Sequence, residues 1–371
     1  MRKALVQLHL WLGLTVGLFW ALQGLTGASL VFHRELDRLS TPAVAGPMIS
    51  MDAIAARAPR PVQMIGIADG SGDLLNVQYK DGAGVRQLQV EAATGRIAAT
   101  RDYDPASPFT GSASRWLYLL HESLLLHDRG ETLVGISGLL LFTALLTGLW
   151  IGWPRRRQWR IVFAWRHWRT TRIRLYGWHR MMGLLAGALL VVTVPGGIWM
   201  IFAADLRPAL AEAVPHQLPY KPRAVGELGP VIAPQTALER ARAHFPDAAF
   251  VRLTFPTPAA PVYAVRLRQE EEVRVWSGVT SVTLDAHTGR VVDVYDPLKA
   301  PLSNRLADAA FSIHSAEIAG LGGRILLMLA GLSLPALYVT GIWAWLRKRR
   351  RRKFPSQHLL GRGTTRRVVE G

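Results

Sequence analysis

The sequence predicts a membrane α-helical bundle with α+β periplasmic modules: four transmembrane helices in two parallel two-helix repeats, each repeat carrying one module. Three observations predict it. Four apolar runs are long enough to cross a bilayer, basic charge is crowded beside those runs, and one unit is written twice with histidines at matching places.

The four runs are taken in order. A span needs about 20 apolar residues, and residues 4–33, 131–153, 175–204 and 323–346 each supply them. The first has the position of a signal peptide. It is too long for one, and Val31, Phe32 and His33 follow in place of a small-residue cleavage site, so it reads as a retained span.

Charge sets the orientation. The net charge of +18 is not a nucleic-acid signature, because it sits next to the spans. The loop 154–174 holds eight arginines and no acid, residues 347–353 are seven consecutive basic residues, and Arg2 and Lys3 precede the first span. Basic segments flanking spans stay cytoplasmic. Both termini, the loop 154–174 and the tail 347–371 are therefore expected inside, with 34–120 and 205–312 outside. A basic tail beside a span also suits contact with anionic lipid. The chain has no cysteine, which excludes disulfides, iron–sulfur clusters and thiolate zinc sites.

The repeat is read from spacings. His121 to Trp150 is 29 residues, and His314 to Trp343 is also 29. Thr147-Gly148-Leu149-Trp150 matches Thr340-Gly341-Ile342-Trp343, and "LHLWLGLTVG" from Leu8 matches "WHRMMGLLAG" from Trp178, which sets His9 opposite His179. "EAATGRI" from Glu91 matches "DAHTGRV" from Asp285. A repeat with an even number of spans inserts the same way twice, so equivalent residues share a depth. His9 and His179 should lie level near the inner face, His121 and His314 near the outer face.

The external segments read as modules. "TALERARAHF" has helical periodicity, whereas "FVRLTF", "VYAVRL" and "SVTLDAHTGRVVDVY" alternate as half-buried strands do. The first segment repeats the pattern with "DAIAARA", "LLNVQY" and "RQLQV". The turn at Asp285–Gly289 needs a glycine with positive φ.

Ionisable residues in spans are costly, which makes them functional candidates. A lone membrane histidine is commonly a hydrogen-bonded packing residue. Two at one depth facing one axis suit a different role, since neutral imidazole ligates iron, zinc and copper, and facing helices are a usual place to build a haem site. Gly13, Gly17, Gly183 and Gly187 leave room for a flat macrocycle, or for close helix packing. A straight helix from His121 to Trp150 would run ~43 Å, past the ~30 Å hydrocarbon core. Gly130 and Gly322-Gly323 are the expected breaks, placing His121 and His314 at the outer interface. His33, at the end of the first span, reaches that level but has Ala203 as its counterpart. His127 likewise lacks a partner, and His167, His216, His244, His287 and His358 read as surface residues. A histidine pair at each face suggests two haems, b-type because no cysteine is present for attachment. Arg115, Arg129, Arg174, Arg180 and Arg324 are candidate propionate partners, or snorkelling residues.

"LHESLLL", "VGISG", "LTGLWIGWPRR", "GWHRMMGLLAG", "TGIWAWLRKRR" and the "DAHTGRV" turn together resemble the PepSY-associated transmembrane family, over about residues 4–350. The resemblance implies a bacterial inner-membrane protein of iron uptake, with a periplasmic PepSY module in each half and a dihaem core. Members include ferric-siderophore reductases with b-type haem. Carried over, His9, His121, His179 and His314 fall on the family's histidine motifs, while His127 stands where glycine is more usual. The expected activity is reduction of ferric siderophore to Fe(II) on the periplasmic side. The expected donor is a separate cytoplasmic protein or the quinol pool, since the sequence shows no flavin domain after the basic tail. Two other readings stay open: a non-redox protein whose modules regulate or inhibit a periplasmic peptidase, and a transporter. The near absence of Asp and Glu from the spans disfavours the transporter.

Overall fold

The computed structural model describes all residues except 42, 60, 69–71, 83, 105–106, 108, 166–169 and 354–371. His167, His358 and most of the basic tail lie outside the described residues.

The first apolar run folds as two helices, α1 (Arg2–Thr15) and α2 (Gly17–Leu30), bent by 65° at Val16. Glycine at a helix kink is expected, and here it also admits a neighbour. A Cβ on Gly17 would lie 2.7 Å from the Tyr338 ring. A short helix α3 (His33–Ser40) follows, then α4 (Met51–Ala55), whose Ser50 side chain caps Ala53 N–H. Strands β1 (Val62–Ile67), β2 (Leu74–Asp81), β3 (Gly84–Glu91) and β4 (Ile97–Asp102) form an antiparallel meander. Helix α5 (Ala113–Ser123) leads into α6 (His127–Gly152), and α7 (Trp159–Phe163) lies in the Arg-rich connection to α8 (Thr171–Ala213).

Helix α9 (Pro234–His244) has proline in its first turn, where the missing N–H costs nothing. Strands β5 (Ala249–Thr254), β6 (Val262–Arg268), β7 (Ser281–Asp285) and β8 (Val291–Tyr295) form a second antiparallel meander. Helices α10 (Leu302–His314) and α11 (Gly320–Lys353) end the described chain.

The two meanders form one sheet. Its strand order is β4-β3-β2-β1-β5-β6-β7-β8, joined at an antiparallel β1–β5 pair in which Ile65 faces Leu253. One face carries α4 and α9. Met51, Ile54, Ala237, Leu238 and Ala241 bury against Ile65, Leu75, Val77, Leu253, Val265 and Leu284, all nearly inaccessible to solvent. The turns after β3 and β7 are alike. Gly95 has φ 68° and Gly289 has φ 67°, and in each turn an acid ties down a threonine: Glu91 accepts from Thr94 Oγ1 and Asp285 from Thr288 Oγ1.

Three helices (α6, α8 and α11) are long and apolar enough to cross a membrane, and the bent α1–α2 pair makes a fourth. In the bundle, α6 packs on α1 and α8, and α11 packs on α8 and α2. The α2–α11 crossing is close because Gly24 and Gly331 face each other; a Cβ on either would meet the other's carbonyl oxygen, at 2.5 and 2.8 Å. Trp20 Nε1–H donates to Ser137 Oγ at 3.0 Å, joining α2 to α6.

Several sequence expectations need correction. Helices α8 (Thr171–Ala213) and α11 (Gly320–Lys353) run past both ends of the expected spans 175–204 and 323–346. Apolar length measures what must cross lipid, not where helical hydrogen bonding stops. The break ahead of α6 is not at Gly130, nor is the break ahead of α11 at Gly322-Gly323. The chain turns earlier, at Leu124 (φ 53°) and Leu125 (φ 62°), and again at Ala316 (φ 56°) and Gly320 (φ 61°). Gly130 lies inside α6. It is needed because a Cβ there would fall 1.6 Å from the Ser123 carbonyl oxygen, where α5 ends.

Two facing histidine pairs and their helical seats

Four of the five candidate histidines come together in two pairs. The His9 and His179 rings have centroids 6.3 Å apart at an interplanar angle of 78°; His121 and His314 lie 6.2 Å apart at 41°. His33 joins neither pair among the described residues. It opens α3 and its Nδ1 turns back to the Leu30 carbonyl at 2.6 Å. His127 is exposed at the start of α6. His216 bonds Ser303 and His287 bonds the Pro230 carbonyl, away from the bundle.

Each paired histidine sits on a neighbouring helix in the same way. His9 Nδ1 lies 3.0 Å from Ala144 O, His179 Nδ1 3.1 Å from Leu337 O, and His314 Nδ1 3.1 Å from Thr193 O. His121 Nδ1 lies 2.9 Å from Thr26 Oγ1, over the carbonyl of Gln23. Four residues after each of these carbonyls stands a glycine: Gly148, Gly341, Gly197 and Gly27. The histidine Cε1 lies 2.8, 3.4, 2.8 and 2.9 Å respectively from where that glycine's Cβ would be. One residue before the glycine is Thr147, Thr340 or Thr26; the fourth seat has Gly196 instead.

The seats fix the tautomer. A carbonyl oxygen only accepts, so Nδ1 of His9, His179 and His314 must donate. Thr26 Oγ1 already donates to the carbonyls of Leu22 and Gln23, both at 3.1 Å, so it accepts from His121 Nδ1. In all four rings Nε2 is left with its lone pair, and it has no hydrogen-bond partner among the described residues. A metal-binding histidine commonly engages its other nitrogen in this way.

The spacing fits one metal per pair. A ligating imidazole nitrogen lies ~2.0 Å from its metal and ~1.1 Å from its ring centre, so two rings on opposite sides of one iron have centroids about 6 Å apart. Two nitrogens alone do not complete a coordination sphere. Among the described residues no group of three or more His, Cys, Asp or Glu is placed to hold a metal. The remaining ligands would have to come with the metal, as they do in haem. Gly13 and Gly183 stand one turn after His9 and His179; a Cβ on Gly13 meets nothing within 4 Å, and one on Gly183 meets only a Leu337 methyl at 3.7 Å. That leaves space beside the His9–His179 pair for a flat group. Gly17 and Gly187 instead pack against Tyr338 and Leu149.

Three of the arginines read as propionate partners are engaged elsewhere. Arg115 donates to the carbonyls of Ser107, Thr110 and Asp104, Arg180 to Gly152 O, and Arg324 to Glu35 and Val31 O. The seats themselves were missed in the sequence. Thr147-Gly148 and Thr340-Gly341 served there only as markers of the repeat, and Thr26-Gly27 passed unnoticed. A Thr-Gly pair inside an apolar run is the signal that finds three of the four.

No curated protein matches the chain. A family match does exist, to the family described as PepSY-associated TM region, and it spans residues 6–348, with all four seated histidines and the whole sheet inside it. The chain therefore belongs to the PepSY-associated TM region family.

Proposed function

We propose that the chain is an inner-membrane, b-type dihaem electron-transfer protein that reduces ferric siderophore to Fe(II) on the periplasmic side during iron uptake. The observation that carries the proposal is the doubled pair: two sets of facing imidazoles, with ring centroids 6.3 and 6.2 Å apart, each with Nε2 unbonded. His9 and His179 would hold the inner haem, His121 and His314 the outer one. When bound, the two haems supply reversible one-electron chemistry near each face of the membrane.

The chain's own residues do the rest. The seats hold each Nδ1–H and leave each Nε2 without a hydrogen-bond partner among the described residues, and apolar helices surround the pairs. The proposed layout is two parallel repeats, α1 to α6 and α8 to α11, each with a module outside, and both termini in the cytoplasm where the arginines lie. The donor is a cytoplasmic protein or a quinol. The reaction adds one electron to the chelated iron and makes no covalent bond. Hard oxygen donors hold Fe(II) less tightly than Fe(III), so the siderophore then releases its metal. A pyridine haemochrome assay on protein from haem-replete cells is the direct test, with two haems per chain expected. Colourless protein without haem would remove this reading and leave the external sheet as the functional part.

A further inference from the structure

A cavity of about 220 Å³ opens on the sheet face opposite α4 and α9, at the β1–β5 seam. Its walls include Arg34 of α3, Asn76 of β2, Arg252 of β5, Arg266 of β6 and Trp276 of the β6–β7 connection, and among the described residues that line it there is no carboxylate. Arg252 and Arg266 are directly opposed cross-strand partners. Like charges in that position destabilise a sheet. Neither forms an ion pair among the described residues. The carboxylates in reach are used by others. Glu317 takes Arg34 at 2.7 Å, Asp308 accepts from the Tyr295 hydroxyl, and Glu272 accepts from Gln269 N–H at 2.8 Å and Thr280 Oγ1 at 2.6 Å.

Burial pushes the Arg252 guanidinium down from its ordinary value. Burial, then repulsion from Arg252 and Arg274, brings Arg266 to about 10 against the pull of Glu272 and Asp308. Both remain cationic at neutral pH. A third donor joins them. Gln78 donates to Gln87 and Gln87 donates to Asn76 Oδ1 at 2.8 Å, so this amide chain ends on the Asn76 NH₂, which has no acceptor among the described residues. Two half-buried guanidinium groups and an amide donor, without an acceptor, form a receptor for a carboxylate-type anion.

The place matters as much as the charge. Arg34 bridges the cavity to Glu317, three residues after His314, and stacks over Trp276 at 5.7 Å. The volume is below the roughly 300–1,000 Å³ of pockets that enclose a whole drug-sized ligand, so it suits one arm of a larger molecule or a small polycarboxylate. We infer that this cavity is an anion subsite that binds a carboxylate-bearing ligand beside the outer histidine pair. Resting on the proposed reductase reading, that ligand is the ferric chelate, and the chain prefers chelates with free carboxylates over neutral or cationic ones.

The test uses the full chain as purified in detergent, with citrate as the probe at fixed ionic strength. Calorimetry should show saturable citrate binding to wild type, weakened at least tenfold in the R252Q/R266Q double variant. Without citrate the variant should melt at a higher temperature than wild type, because the opposed charges are gone; with citrate only wild type should gain. Equal citrate affinity in both proteins, or no binding at millimolar citrate, overturns the subsite. Loss of a haem from the double variant also overturns it, since the arginines would then be propionate partners. Loss of citrate binding in phosphatidylglycerol nanodiscs, but not phosphatidylcholine nanodiscs, would make a lipid phosphate the occupant and overturn it too. A haem-free protein that still binds citrate through these arginines would sink the reductase reading and leave the subsite standing.

Discussion

Adding one methyl group at a glycine seat should displace the histidine it holds, a haem ligand in the proposed function, and the four seats predict a graded result. The Cβ of Gly148→Ala would lie 2.8 Å from His9 Cε1, that of Gly197→Ala 2.8 Å from His314 Cε1, and that of Gly27→Ala 2.9 Å from His121 Cε1. Carbon atoms in contact prefer about 3.5–4.0 Å, so each ring would have to move by roughly 0.6 Å or more. A binding constellation tolerates displacements of about 0.5 Å. Gly341→Ala is the internal control, because its Cβ would stand 3.4 Å from His179 Cε1, an ordinary contact. Helix propensity works the other way in all four, favouring alanine by about 0.5–1 kcal/mol, so a loss cannot be blamed on the helix. The assay is the absorption spectrum and haem content of each variant. Gly27→Ala, Gly148→Ala and Gly197→Ala should each lose or convert one low-spin haem, while Gly341→Ala keeps both. Four spectra identical to wild type would refute the seat geometry; a defect confined to Gly341→Ala would refute it as well.

Four further outcomes are expected. His9→Ala and His179→Ala should each halve the haem content and leave the other haem reducible. His121→Ala or His314→Ala should remove the outer haem and the reduction of external ferric siderophore, with His33→Ala largely active; the haemochrome assay and a ferrozine assay read these. Glu317→Ala should destabilise the protein by about 3 kcal/mol, the usual cost of leaving one member of a buried ion pair alone, because Arg34 and Glu317 are only 20% and 6% exposed; thermal melting measures it. Asp285 is held below the usual carboxylate range by bonds from Thr288 N–H and Oγ1. Its contribution is therefore complete above about pH 4, its unfolded value, and fades as pH falls through the lower folded value. Asp285→Asn should melt earlier than wild type at pH 7, and the difference should close in acid.

What could be read from the sequence follows physical range. The spans were legible because lipid imposes a long, contiguous apolar run. The pairing of His9 with His179 and of His121 with His314 was legible because matched spacings in the two halves of the sequence set them opposite each other. Strand β1 was not. "VQMIGI" is short, is interrupted by Gly66, and its burial does not alternate cleanly, yet it joins the two meanders through β5. Its partner is fixed by a contact almost 190 residues away, which no local pattern encodes. The turn at Leu124–Leu125 was missed because leucine rarely takes positive φ. It does so here because Gly130 lets the next helix start against the last carbonyl of α5.

The seats also bear on whether the histidines merely pack. A packing histidine in a membrane satisfies both ring nitrogens, because an unmatched buried polar atom costs about 1–3 kcal/mol. Here Nδ1 is satisfied in all four and Nε2 in none, and each Nε2 belongs to a ring that faces another such ring. Replacing the four by leucine would keep the helices apolar, so helix packing alone gives no reason for four imidazoles each seated through Nδ1. The proposed haem reading gives one: an electron-pair acceptor between the rings would use the tautomer that the seats impose and the separation of about 6 Å that both pairs adopt.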